Sequence, residues 1–193
     1  MAKPYLLKIS ILLYYLGMEL LLTIHQNEFE VKQTETNNSD YRTREAARAV
    51  LLSDSGQIFL MNVRLHGYHK LPGGGIDEGE SIEEALAREL MEEVGCKARL
   101  VSEIGKIVEY RDYEKLKQTS YCFIAKQADE QQYSNLEEGE LAEGMIEVKA
   151  RSVEEAIALL KNDNPDNLEG KFIQRRDVAF LEKAKTLMSR SNE

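Results

Sequence analysis

Apolar and polar positions along the chain fall into short runs whose period and boundaries predict a sequence of elements. Residues 20–24 are apolar and read as a strand, and the polar stretch 33–40 reads as a loop. Two apolar runs, 46–52 and 58–63, flank Asp54-Ser55-Gly56, a turn signal that predicts a hairpin. Leu71-Pro72-Gly73-Gly74-Gly75 follows as a loop whose glycines widen the allowed backbone conformations. Residues 81–94 predict a helix: Ser81 is a natural N-cap, Glu84 completes a capping box, and Gly95 stands where a helix end favours glycine. Leu86, Leu90 and Val94 recur every four residues and supply its apolar stripe. Strands are expected at 100–110 and 118–126, from their β-branched and aromatic content. The acidic stretch 130–143 reads as a loop and 145–149 as a short strand. A second helix opens at Ser152 with a capping box through Glu155 and an apolar face of Ala156, Leu159 and Leu160. Residues 162–167, with Pro165, break it, and 172–188 form a last amphipathic helix. This order predicts an α/β fold, a mixed sheet with helices on both faces.

Composition narrows the class. A chain of 193 residues with 42% apolar and 31% charged residues suits one soluble domain with a single core. The net charge of −9 and the lack of a long Lys/Arg block argue against binding a nucleic-acid polymer through its phosphates. A small anionic substrate stays compatible, because carboxylates that bind a cation present positive charge to phosphates. The two cysteines, Cys96 and Cys122, read as reduced buried thiols of a cytoplasmic protein. Residues 4–17 are apolar after Lys3, but Lys8 interrupts them, Glu19 follows, and no small-residue cleavage site appears. Stable membrane insertion is therefore not expected. Residues 1–17 read as an extension upstream of a biological start at Met18, and 18–193 as one domain.

The chemistry concentrates on the helix at 81–94. Glu89, Glu92 and Glu93 fall on one side of it, beside the apolar stripe. Three adjacent carboxylates repel one another and call for a positive charge, and hard oxygen donors suit Mg²⁺, with Mn²⁺ as the alternative. A glutamate-rich helix face is usually only solvated surface, and Glu83 and Glu84 are read that way. The other three are not, because Gly74, Glu80, Arg88, Glu89, Glu92, Glu93 and Gly95 stand at the spacing G-x5-E-x7-R-E-x-x-E-E-x-G. The segment GGIDEGESIEEALARELMEEVGC, from Gly74 to Cys96, resembles the Nudix box. Cys96 departs from the aliphatic residue that family prefers, a small change for a buried hydrophobe.

That resemblance implies a Nudix-type α/β/α sandwich and a metal-dependent pyrophosphohydrolase. Glu89 and Glu93 would be the principal metal ligands and Glu92 a further one, with a backbone carbonyl of Gly73 or Gly74 adding an oxygen. Arg88 and Glu80 would form a supporting ion pair that orients the carboxylates. The implied reaction is attack of water on phosphorus in a nucleoside diphosphate linked to another moiety, a nucleoside triphosphate or modified nucleotide by family analogy. Dinucleoside polyphosphates, nucleotide sugars and a non-catalytic nucleotide-sensing role are the alternatives. Homodimers are common in that family. The general base stays open among Glu89, Glu92, Glu137, Glu138 and Glu140. Arg48, Arg64, Tyr68 and His69 are the candidate substrate contacts, the arginines through their planar donors and the rings through stacking on a base. Arg42 and Arg44 lie in the same stretch, and surface solubility is the plain reading of any one of these arginines. No proline occurs at 97–126, where ADP-ribose-cleaving relatives tend to carry one. Tyr110 and Tyr113 lie where dinucleoside polyphosphate relatives tend to carry a tyrosine.

Overall fold

A computed structural model describes residues 17–29 and 40–190. Nearly all of the expected N-terminal extension, and the loop expected at 33–40 apart from Asp40, lie outside the described residues. Within the described residues seven strands form one mixed sheet: β1 (Leu20–His25), β2 (Arg42–Leu52), β3 (Ile58–Val63), β4 (Tyr68–Lys70), β5 (Ala98–Arg111), β6 (Leu116–Gln127) and β7 (Met145–Ala150). Their order is β1-β5-β6-β2-β3-β4, with β7 paired to β3. β1 runs parallel to β5 and β2 parallel to β6, while β5–β6, β2–β3, β3–β4 and β3–β7 are antiparallel. The helices are α1 (Ile82–Glu93), α2 (Glu138–Ala142), α3 (Val153–Asn162) and α4 (Leu168–Arg190).

The continuous apolar runs of β2, β3 and β6 arise because both sheet faces are covered. Ala47, Ala49, Leu51, Phe59, Met61, Tyr121 and Phe123 face one way and pack with Ile82, Leu86 and Leu90 of α1. Their neighbours Val50, Leu52, Ile58, Leu60, Cys122 and Ile124 face the other way, toward Ala156 and Leu160 of α3 and Phe172 and Phe180 of α4. Both cysteines are free and buried.

The expected hairpin parts almost at once. The turn forms, with Ser53 N–H donating to Gln57 O at 2.8 Å, but β2 and β3 pair only at Leu52 and Ile58. Beyond that point the glycine loop takes the place of β3 beside β2. Ala49 N–H donates to Pro72 O (3.1 Å), Ala47 N–H to Gly74 O (3.0 Å), and Ile76 N–H to Glu45 O (3.0 Å). This parting of β2 from β3 opens the cleft described below.

Four elements differ from the sequence-based expectation. β2 begins at Arg42, because its polar half is paired to β6 all along its length. β4 is a three-residue strand, too short to show an alternating pattern. α2 forms inside the acidic stretch expected to be loop, closed by a capping box between Glu137 and Glu140. α4 starts at Leu168 because the Asn167 side chain accepts from Gly170 N–H at 2.7 Å, capping the helix where only a break was expected.

Candidate active site

The apolar stripe of α1 fixes the helix on the sheet and thereby turns its carboxylates toward the glycine loop. Glu93 is 1% exposed. A carboxylate so deep must have its charge answered, and it is. Gly73 N–H donates to one Glu93 oxygen at 2.6 Å and Lys70 Nζ to the other at 2.8 Å. Gly73 reaches this position with φ +124°, and a Cβ there would stand 2.2 Å from Ala47 O. Glu89 lies against Gly74 so closely that a Cβ on Gly74 would stand 2.2 Å from its Oε1. Burial first, and then the charge of Glu93, pushes the Glu89 carboxyl above its usual range against the pull of Arg88.

Arg88 ties loop and helix together. Its Nε and Nη2 donate to the two oxygens of Glu80 at 2.9 and 3.1 Å, and Nη2 also donates to Gly75 O at 3.0 Å. Its Nη1 reaches Glu89 (2.9 Å) and Glu92 (3.1 Å). The two-pronged contact holds the Glu80 carboxyl below its usual range.

These groups form one wall of a cleft of about 190 Å³. Glu137, Glu140 and Glu143 approach from α2 and its flanks, Glu169 and Ile173 from α4, Lys70 and Tyr68 from β4, and Arg44 and Arg48 from β2. Glu140 stands 3.8 Å from Lys70 Nζ, and burial followed by the nearby Glu93 pushes its carboxyl up to about 7.

Of the residues singled out from sequence, Glu89, Glu92, Glu93, Gly73, Gly74, Arg48, Tyr68, Glu137 and Glu140 line this cleft. Arg88 and Glu80 support its wall. Tyr68 is 4% exposed, and its ring would meet a Cβ at Gly170, so it serves as packing and offers no open face to a base. His69 turns to the loop before α4, where its backbone N–H and Nδ1 both contact Asp163, at 2.7 and 2.9 Å. Neither His69 nor the exposed Arg64 lines the cleft, and neither does Glu138. Lys70, Glu143, Glu169 and Ile173 were not anticipated. Lys70 carried a usable signal, since it directly precedes the Leu-Pro-Gly-Gly-Gly run; Glu169 and Ile173 lie far along the chain and carried none.

The donor set fits a hard divalent cation. Glu89, Glu92 and Glu93 offer only oxygens, and the buried Glu93 and half-buried Glu89 are like charges that gain from a shared positive neighbour. Among the described residues no three acidic, His or Cys side chains already enclose an ion-sized point. Arg88 and Lys70 draw the carboxylates instead. Gly74 O accepts Ala47 N–H, which leaves the Gly73 carbonyl oxygen as the less committed backbone ligand.

The family model for the NUDIX domain matches residues 42–173. The chain belongs to this family. Members of the family generally use a divalent metal. A Bacillus subtilis (strain 168) protein, provisionally named an 8-oxo-dGTP diphosphatase, is 43% identical over 61 residues, 32% of this chain and 41% of that protein. An RNA pyrophosphohydrolase of Shewanella piezotolerans is 50% identical over 50 residues, 25% of this chain and 28% of that enzyme. The matched stretches thus span less than half of either relative. The solution structure of the E. coli ORF135 protein aligns with a TM-score of 0.56 at 20% identity, covering 78% of this chain and 94% of that one. A NUDIX hydrolase from Nitrosomonas europaea aligns at 0.55 with 16% identity, covering 75% and 90%. These structural likenesses establish the fold. Among the described residues no helix is long and apolar enough to cross a membrane.

Proposed function

We propose that this protein hydrolyses a phosphoanhydride bond in a nucleoside diphosphate linked to another moiety, with a nucleoside triphosphate or modified nucleotide as the substrate. The observation that carries this reading is the meeting of Glu89, Glu92 and Glu93 with the Gly73–Gly75 backbone in one cleft that Arg48 also lines. Glu89, Glu92, Glu93 and the Gly73 carbonyl are the residues to hold Mg²⁺, with Mn²⁺ as the alternative. When bound, the ion supplies charge stabilisation to the phosphates and lowers the pKa of the attacking water. Arg88 and Glu80 orient the carboxylates, and Gly73 N–H fixes the rotamer of Glu93. Lys70, beside Glu93, and Arg48, on β2, bring positive charge to the phosphates in the same cleft.

We assign the general base to Glu140. It lines the same cleft beside Glu93, 3.8 Å from the Lys70 ammonium that both carboxylates approach, and α2 sets its direction through the cap at Glu137. Glu138 does not face the cleft, and Glu89, Glu92 and Glu93 are committed to the cation. The buried free thiols agree with a cytoplasmic site of action.

The test is a hydrolysis panel of nucleoside triphosphates, oxidised nucleotides, dinucleoside polyphosphates and nucleotide sugars, with Mg²⁺ or Mn²⁺ and product identification. Turnover that falls about a thousandfold in Glu93→Gln, the scale of metal-borne charge stabilisation, supports the reading. No turnover across the panel overturns it, and tight binding without turnover assigns the chain a nucleotide-sensing role instead.

A further inference from the structure

On the sheet face that α4 covers lies a charge cluster that reaches the cleft at Arg44 and Arg48 and of which the reading above uses only Arg48. Arg48 is 5% exposed, Arg111 2% and Arg176 0%, and Arg44 stands in front of them at the cleft mouth. Two fully buried carboxylates oppose these four guanidinium groups. Asp177 is held by Arg176 Nε (2.7 Å) and by Leu71 N–H (2.8 Å). Glu109 takes Arg111 Nη2 at 3.3 Å and lies 3.6 Å from Arg176 Nη1. Glu169 adds a half-exposed third charge, 3.3 Å from Arg111. On this face four guanidinium groups meet three carboxylates, with Glu93 and Glu89 of the carboxylate wall also attracting Arg48 and Arg44. The cluster's donors also outnumber its acceptors: Arg48 Nε, Arg111 Nε and Arg176 Nη1 have no hydrogen-bond partner among the described residues.

Asp177 and Glu93 attract the Arg48 guanidinium, but a buried donor without a hydrogen-bond partner is costly, because nothing replaces the water it has lost. Burial, then repulsion from Arg176, accordingly pushes the Arg48 guanidinium down to about 10. Arg48 is nonetheless placed on the cleft side of β2, and Ala46 is the only side chain between it and Arg44 on that face. Arg44 is aimed by a relay across three strands. Its Nη1 donates to Gln118 Oε1 at 2.7 Å, and Gln118 Nε2 donates to Glu109 Oε2 at 2.7 Å. Glu109 thus fixes which end of the Gln118 amide faces Arg44.

We infer that Arg44 and Arg48 form a subsite for a third phosphate of the substrate, beyond the two joined by the scissile bond, with Gln118 and Glu109 as positioning residues. This rests on the hydrolase reading above and narrows it. The anhydride phosphates belong to the carboxylate wall and its cation. A further phosphate has no cation there and finds one at the floor, where planar guanidinium donors match its oxygens. Substrates that carry a third phosphate are favoured over nucleoside diphosphates linked to an uncharged sugar.

Two measurements test this. The first is calorimetric binding of inorganic tripolyphosphate in metal-free buffer, comparing wild type with Arg48→Gln, Arg44→Gln and Gln118→Met. Each variant should bind at least tenfold more weakly. Arg44 is solvent-facing, so its variant keeps the question answerable if Arg48→Gln does not fold. Equal affinity in folded variants overturns the subsite, and binding to wild type that is no tighter than that of sulfate overturns its selectivity for polyphosphate. The second is kcat/KM with Mg²⁺ on a nucleoside triphosphate and on a nucleotide sugar. Arg48→Gln should lower the first at least tenfold more than the second, and Gln118→Met should raise KM for the triphosphate more than it lowers kcat. Equal losses on both substrates overturn the subsite while leaving the hydrolase reading intact. If no substrate is turned over at all, the hydrolase reading falls and the binding measurement alone decides the subsite.

Discussion

Two adjacent glycines illustrate how differently neighbouring residues serve the site. A Cβ on Gly73 would meet the Ala47 backbone carbonyl, which cannot move without breaking the β2–loop pairing, and φ is +124° there. Gly73→Ala should cost about 3 kcal/mol or more, read as a lower midpoint in urea denaturation. A Cβ on Gly74 would meet only the flexible end of Glu89, which can swing aside. Gly74→Ala should therefore leave stability nearly intact and displace a metal ligand, weakening divalent-metal affinity about 10–100-fold by titration calorimetry. Lys70 gives a third contrast. Lys70→Met removes the ammonium that answers the buried Glu93 and should destabilise the protein by about 3 kcal/mol in metal-free buffer. Added divalent metal should restore most of that loss, because it binds the folded state at the exposed need for positive charge. A thermal melt with and without Mg²⁺ checks both halves.

At the scale of elements, legibility follows how local the determining contacts are. Ser81, Glu84, Arg88 and the three carboxylates lie within thirteen consecutive positions of one helix and its cap, so their spacing alone placed them on common faces. The long apolar strands were equally plain. β4 was not, because three residues carry no period, and α2 was not, because its five residues sit in a run of acidic and small side chains. Yet α2 brings Glu140 to the cleft. If Glu140 removes a proton from the attacking water, Glu140→Gln should lower kcat about 10²–10⁴-fold with little change in metal affinity. A stopped-time assay beside a metal titration separates this from loss of a ligand. An equal loss of metal affinity would make Glu140 a ligand and return the role of base to another residue. The substrate-binding expectation for Arg64 rested on its planar donors, and those for Tyr68 and His69 on their position just before the glycine loop. Strand alternation and the Asp163 contact send His69 the other way, and packing against α4 encloses Tyr68.

Across the whole molecule, two different charge systems meet at one cleft. The carboxylate wall comes from one helix and its neighbours. The arginine floor is assembled from β2, β5, β6 and α4, with Leu71 and Asp177 joined across 106 residues of sequence. Such a cluster is invisible as a pattern, because each arginine taken alone resembles a surface residue. Its stability depends on Glu109. Burial pushes the Glu109 carboxyl up, but Arg176 and Arg111 outweigh burial and hold it below the usual range. A folded-state value below the unfolded one means that the unfolded chain takes up the proton first as pH falls. The contribution of Glu109 is therefore complete above the ordinary carboxylate range and is lost as pH falls through its lowered folded value. Glu109→Gln should cost about 3–5 kcal/mol near neutral pH, since it leaves Arg111 and Arg176 short of counter-charge. The same variant should lose less further stability than wild type between about pH 5 and pH 3, because it has no proton to take up there. Urea titrations at several pH values measure both. A variant whose stability falls with acid as steeply as that of the wild type would place the acid-sensitive carboxylate elsewhere and leave Glu109 a role in aiming Arg44 alone.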